Sequence, residues 1–82
     1  MITLYGATWC PDCTRSKAYL DQKKVPYTYV DLELDPTAAD TVEKLNKGLQ
    51  SIPTIVFSDG SILTEPTDSE LGAKIADIEP AT

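Results

Sequence analysis

Apolar and β-branched residues fall in short runs along this chain, and each run ends at glycine, proline or small polar residues. Ile2 to Tyr5 is a β-branched and aromatic run broken by Gly6-Ala7-Thr8, which predicts a first strand. Good helix formers follow from Pro11, with Cys13, Ser16 and Leu20 at helical spacing and Arg15, Lys17, Asp21 and Lys23 turned outward. Pro11 suits a first helical turn, where its missing N–H has no partner to lose. Tyr27 to Leu32, entered from Pro26, reads as a second strand. Asp35-Pro36 is an N-cap followed by proline at the first helical position, and Ala38, Val42, Leu45 and Leu49 then recur on one helical face. Thr54 to Phe57 and Ser61 to Thr64 read as strands joined by a two-residue hairpin turn at Asp59-Gly60. Thr67 with Glu70 makes a capping box for a last helix, with Leu71, Ile75 and Ile78 as its buried stripe and Pro80 as its end.

The order is strand, helix, strand, helix, hairpin, helix, without linker or internal repeat. Two strands joined by a helix are expected to be parallel, and the hairpin adds an antiparallel pair, so the expectation is a mixed four-stranded α/β sheet packed by three helices. At 82 residues the chain has room for one core, placed at residues 1–79 with a short tail at 80–82.

Composition narrows the function. A net charge of −6 with seven basic residues disfavours nucleic acid and anionic membranes, both of which are bound through clustered Lys and Arg. No apolar run approaches the ~20 residues that cross a bilayer, and Met1-Ile2-Thr3-Leu4-Tyr5 is too short and strand-like for a signal peptide. The expected setting is the cytoplasm, and the expected state is a monomer. With no histidine, chemistry must run on Cys, carboxylates, Lys, Tyr or backbone groups.

The two cysteines, Cys10 and Cys13, stand three residues apart between a strand and a helix. Zinc or iron–sulfur binding would find here only half a ligand set, to be completed by a second chain or an external thiol. An inert structural disulfide closing so small a loop adds little stability and does not persist in cytosol. A redox site is the reading with a mechanical reason. At a helix start Cys10 meets unpaired N–H groups and the positive end of the macrodipole, which favour thiolate, the nucleophilic form. Cys13, about one turn further and deeper, is placed to attack a Cys10 mixed disulfide. Asp12 opposes the thiolate by about 0.6 kcal/mol in water and about 2.4 at an effective dielectric of 20, for charges about 7 Å apart. It is equally an ordinary favourable carboxylate in a first helical turn.

Trp9-Cys10-Pro11-Asp12-Cys13-Thr14-Arg15-Ser16-Lys17, Ile52-Pro53-Thr54 and Asp59-Gly60 together resemble glutaredoxin over nearly the whole chain. The resemblance implies a thioredoxin fold with strand order 2-1-3-4, the third strand antiparallel, and a cis proline at Pro53 beside the active thiol. It also implies that the Ile52 backbone bonds substrate, the alternative for Pro53 being a plain strand-start proline. Trp9, directly before Cys10, is expected to lid the thiol, the alternative being a core aromatic. Where common glutaredoxins carry a lysine three residues before the first cysteine, a tyrosine between the cysteines and a glycine pair before the last helix, this chain has Ala7, Asp12 and Thr64-Glu65-Pro66. Trp9, Asn46-Lys47-Gly48 and Ser58-Asp59-Gly60-Ser61 with Leu63-Thr64 and Pro66 are instead similar to the mycoredoxins, which use mycothiol. The implied activity is reduction of protein disulfides and S-thiolated proteins, with no tightly bound cofactor and mycothiol, rather than glutathione, as co-substrate. The implied substrate contacts are Trp9, Pro11, Asp12, Ile52, Pro53, Thr64, Thr67 and Asp68. A redoxin fed by a thioredoxin-reductase-type reductant, for example to serve ribonucleotide reductase, is the alternative within the same chemistry.

Overall fold

The computed structural model describes residues 2–48 and 51–78. Seven elements run in the order β1 (Ile2–Gly6), α1 (Pro11–Gln22), β2 (Tyr27–Asp31), α2 (Pro36–Leu45), β3 (Thr54–Val56), β4 (Ile62–Thr64) and α3 (Asp68–Ile78). They form a four-stranded sheet in the order β2-β1-β3-β4, with β1 parallel to β2 and antiparallel to β3, and β3 antiparallel to β4. This is the expected mixed sheet, in the thioredoxin-like arrangement.

Register sorts the side chains onto two faces. Leu4 is aligned with Tyr29 and Ile55, and Ile55 with Leu63, so one row of apolar side chains crosses the whole sheet. Leu20 of α1 and Leu71 and Ile75 of α3 join Ile2, Leu4, Ile55 and Phe57 in the main core. Thr54, the register partner of Tyr5, belongs to the opposite face, and Asn46 at the end of α2 bonds it there, so α2 covers that side. Ala38 and Val42 are buried in α2, whereas Leu45 is only half-buried.

The caps follow local chemistry. Asp35 Oδ1 accepts from the N–H of Thr37 at 3.1 Å, and Pro36 opens α2. Thr67 and Glu70 exchange their bonds as a capping box, at 2.8 and 3.1 Å. The hairpin differs from expectation: the Phe57 N–H donates to Ser61 O and the Gly60 N–H to Phe57 O, both at 2.9 Å, leaving a three-residue loop, Ser58-Asp59-Gly60. Gly60 takes φ +87°, the left-handed position such a loop requires, and the Asp59 carboxylate accepts the Ser61 N–H at 2.9 Å across it. Leu49 and Pro80, expected in the α2 stripe and at the end of α3, and the tail at 80–82 lie outside the described residues.

Candidate active site

β1 and the turn after it lead to Cys10. Cys10 is the N-cap of α1 with extended backbone (φ −91°, ψ 111°), so its side chain swings back over the first helical turn. Its Sγ accepts the N–H of Cys13 at 3.2 Å. Serine, asparagine or aspartate performs this task at ordinary helix starts. Here the sulfur of Cys10 takes that place, beside a backbone donor and at the positive end of the helix. Pro11 follows at the first helical position, and Asp12 is the acidic residue of the first turn.

Cys13 is sealed. It is 0% exposed, against 6% for Cys10, and packs with Cys10 and Ala7 in a small cluster that half-buried Ile52 closes. Burial pushes the Cys13 thiol up to about 12, with the bond to Cys10 adding to the effect and the Ala7 backbone N–H opposing it. Both cysteines are free thiols. The two sulfurs therefore differ in access and in partners, Cys10 Sγ taking the helix-cap bond while Cys13 lies fully enclosed, although only three residues separate them.

Pro53 is buried and joined to Ile52 by a cis peptide bond. Glu65 donates its N–H to the Pro53 carbonyl at 2.8 Å, which lays the segment from Thr64 to Asp68 beside Pro53. Glu65 adopts φ +50°, so a non-glycine residue occupies the left-handed region just where the resemblance leads one to expect glycine. Thr64 and Thr67 reach this rim with their hydroxyls already engaged: Thr64 donates to Asn46 Oδ1 at 2.7 Å, and Thr67 accepts from the Glu70 N–H. Trp9 is 66% exposed and outside both apolar clusters, which makes it a surface aromatic next to Cys10 and not a core one. Ala7 is buried among the cysteines, so the position where common glutaredoxins carry lysine is not on the rim of the site here.

Three further residues that the sequence did not mark as site residues shape the site. Arg15, expected to point outward, spans from α1 to the start of α3. Its guanidinium donates to the Pro66 carbonyl at 3.0 Å and pairs with Asp12 at 3.4 Å and Asp68 at 3.5 Å. Asn46 heads a chain of bonds in which the Thr64 hydroxyl donates to its Oδ1, its Nδ2 donates to Thr54 Oγ1 at 2.9 Å, and the Thr54 hydroxyl donates to the Ser51 carbonyl at 2.6 Å. That chain braces both ends of the Ile52-Pro53 bend. Gly6 faces Cys13 with room for hydrogen only. Asn46 did carry a sequence signal, since it lies in the Asn46-Lys47-Gly48 stretch whose pattern resembles the mycoredoxins.

A sheet of this order with a Cys-x-x-Cys pair opening its first helix defines a class, the thiol–disulfide oxidoreductases. Within it, the chain belongs to the glutaredoxin family, whose model, described as Glutaredoxin, matches residues 2–62. A Mycobacterium tuberculosis protein provisionally named as a glutaredoxin is 39% identical over 77 residues, which cover 94% of this chain and 92% of the relative. Mycoredoxin 1 of Corynebacterium glutamicum is 35% identical over 74 residues, covering 90% and 91%. Among solved structures, the thioredoxin-like protein BC3987 superposes with a TM-score of 0.78 at 26% identity, covering 89% of this chain and 97% of that one. A glutaredoxin from Archaeoglobus fulgidus shares the fold with a TM-score of 0.73 at 19% identity, covering 95% and 84%. The chain is thus a glutaredoxin-like disulfide oxidoreductase, a family that acts on disulfide or thiolated substrates with small thiols as reductants. No helix among the described residues is long and apolar enough to cross a membrane.

Proposed function

We propose that the Cys10-Pro11-Asp12-Cys13 segment is the redox site, that Cys10 is the nucleophile and Cys13 the resolving thiol, and that mycothiol is the co-substrate. One observation carries the assignment of roles: Cys10 Sγ takes the helix-capping N–H bond while Cys13 is fully enclosed and holds its proton. In the first step the Cys10 thiolate bonds to one sulfur of the substrate disulfide, and the other leaves as a thiolate. A second thiol then releases Cys10: Cys13 when the substrate is a protein disulfide, or a small thiol when Cys10 carries one.

The rim supports the choice of small thiol. Glu65 stands where a glycine would leave space, and Asp68 adds a carboxylate to the first turn of α3, where it opposes a second carboxylate. Both features suit the sugar-like body of mycothiol better than the carboxylates of glutathione, and the similarity to Mycoredoxin 1 points the same way. In this reading Trp9, Pro11 and Asp12 border the thiol end, Ile52 bonds it through its backbone with Pro53 packed beside it, and Thr64, Thr67 and Asp68 meet the polar body. The protein works as a cytoplasmic monomer whose domain is residues 1–79, with 80–82 as a tail.

Two variants and two substrates test this. Cys10→Ser should abolish turnover, while Cys13→Ser should keep turnover of small-thiol mixed disulfides and accumulate the Cys10 adduct, visible by intact mass. The unmodified protein should reduce a mycothiol mixed disulfide faster than its glutathione equivalent at matched concentration. Activity in Cys10→Ser would reverse the roles, and equal or faster turnover with glutathione would remove mycothiol from the assignment.

A further inference from the structure

The nucleophile has a second neighbour on the side away from Pro53. A cleft of about 280 Å³ lies between α1 and β2 and is lined by Thr8, Thr14, Lys17, Ala18, Asp21 and Tyr29. Because β2 and β3 flank β1 on opposite sides, this cleft and the Ile52-Pro53 bend lie on opposite sides of Cys10. Thr14, Lys17, Ala18 and Asp21 continue from Cys10 at helical spacing, so the cleft follows one stripe of α1 that starts at the nucleophile. The Thr14 hydroxyl bonds the Cys10 carbonyl at 3.3 Å, which joins the cleft directly to the site. Tyr29 also feels the sulfurs: burial raises its pKa first, and charge at Asp31, Cys13 and Cys10 adds to the effect.

The charge in the cleft is available. Lys17 Nζ lies 4.3 Å from the centre of the Tyr29 ring, and no ion pair among the described residues involves Lys17. Asp21, one turn further, accepts the Tyr27 hydroxyl at 2.8 Å rather than pairing with Lys17. The cleft thus presents a cation near the nucleophile, hydroxyls between them, and a carboxylate at its far end.

We propose that this α1–β2 cleft is the docking groove for the polypeptide arm of a protein mixed disulfide, and that Lys17 selects substrates with an acidic residue near the thiolated cysteine. The proposal rests on the mixed-disulfide reductase reading above. A mixed disulfide has two arms leaving its S–S bond, and the site has two grooves leaving Cys10. The small thiol takes the Pro53 side and the protein chain takes the other. The Cys10 thiolate bonds to the sulfur of the small thiol, the S–S bond breaks with its electron pair on the protein cysteine, and that thiolate takes a proton from water. A second molecule of the small thiol then attacks the Cys10 adduct, giving small-thiol disulfide and free Cys10. Spacing sets the selected position. Lys17 is about 10 Å along the helix from Cys10 at 1.5 Å per residue, which an extended peptide spans in about three residues.

The test uses synthetic peptides with one mycothiol-modified cysteine and Glu, or Lys, three residues away on both sides. The unmodified protein should reduce the Glu peptide with a kcat/KM roughly two to five times that of the Lys peptide, as a solvent-exposed ion pair allows. Lys17→Glu should invert that ratio. In parallel, amide shifts are followed by NMR as the reduced protein is titrated with a Glu peptide carrying Ser for Cys. Shifts at Thr8, Thr14, Lys17 and Tyr29 support the groove, and shifts confined to Ile52-Pro53 and Thr64 to Asp68 overturn it. Equal turnover of the two peptides, or a preference unchanged in Lys17→Glu, also overturns it. Groove shifts without any turnover would support the groove and overturn the reductase reading instead.

Discussion

Gly6 lies against Cys13 so closely that a methyl group on Gly6 would stand 2.9 Å from Cys13 Sγ and 3.0 Å from its Cβ. The Cβ is carried by the helix backbone, so α1 itself would have to move. The last residue of β1 therefore sets the depth at which the buried thiol sits, and with it the reach of Cys13 toward Cys10. Gly6→Ala is expected to cost about 1–3 kcal/mol, the usual penalty for overpacking a core. Urea denaturation would measure it, and part of the loss should return in a Cys13→Ala background. A Gly6→Ala protein as stable as the original would mean that the helix start yields easily.

The pH dependence of stability should carry the mark of Cys13. Its thiol is pushed up from 9.0 to about 12. Below 9.0 folded and unfolded chains both hold the proton, and the stabilisation of the protonated native form is fully present. Between 9.0 and about 12 the unfolded chain loses its proton while the folded one keeps it, so stability falls as pH rises. The slope is at most about 1.4 kcal/mol per pH unit for this group. Tyr27, raised by burial and by its bond to Asp21 from 10.0 to about 12, contributes in the upper part of the same window. Denaturation series from pH 8 to 12 should show a shallower decline in Cys13→Ala, with the Tyr27 part remaining; identical slopes would contradict the shift.

Selective alkylation follows from the same asymmetry. Iodoacetamide at neutral pH should modify the folded protein once, at Cys10, because Cys13 is both enclosed and protonated. Peptide mapping would read the site, and modification at Cys13 first would contradict the burial.

Asn46 should behave as a brace for the substrate bend. The direction of its bonds is set by its neighbours: the Thr54 proton goes to the Ser51 carbonyl, so Thr54 Oγ1 can only accept from Asn46 Nδ2. Asn46→Ala leaves buried Thr54 without that donor and is expected to cost about 1–3 kcal/mol. Asn46→Asp keeps the acceptor for Thr64 but puts an oxygen against Thr54, and should rescue little. If the brace positions the Ile52-Pro53 bend, KM for the small-thiol mixed disulfide should rise in both variants more than kcat falls. A loss of stability with KM unchanged would make Asn46 structural only.

Arg15 is the tie between α1 and the start of α3. Arg15→Ala is expected to lose about 1 kcal/mol, because the guanidinium is exposed enough to be screened, with faster hydrogen exchange in the first turn of α3. Arg15→Lys should not restore protection, since a single ammonium cannot reach the Pro66 carbonyl, Asp12 and Asp68 from one position. Full rescue by lysine would reduce the tie to charge alone.

The elements of this fold were legible because each is announced within a few residues of itself. The run Ile2 to Tyr5, the Asp35-Pro36 cap, the Thr67–Glu70 box and the Cys13, Ser16, Leu20 stripe all express period and capping chemistry, which neighbours along the chain determine. Strand order and the reach of Ile52-Pro53 toward the cysteines were accessible only through the glutaredoxin resemblance. What no local pattern contains is the meeting of distant residues. Arg15 reads as an exposed helical residue until the fold brings the Pro66 carbonyl, 51 positions away, within its reach. The bond between Thr64 and Asn46 spans 18 positions, and Gly6 reads as a strand breaker until α1 folds back onto it. Even the hairpin kept its Gly60 but not its expected length, because the Phe57–Ser61 pair decided where the ladder closes. Sequence determined which groups could do thiol chemistry and where the backbone would turn. Tertiary packing decided which sulfur is enclosed and which groups brace the bend, since burial and cross-element bonds depend on what arrives from elsewhere in the chain.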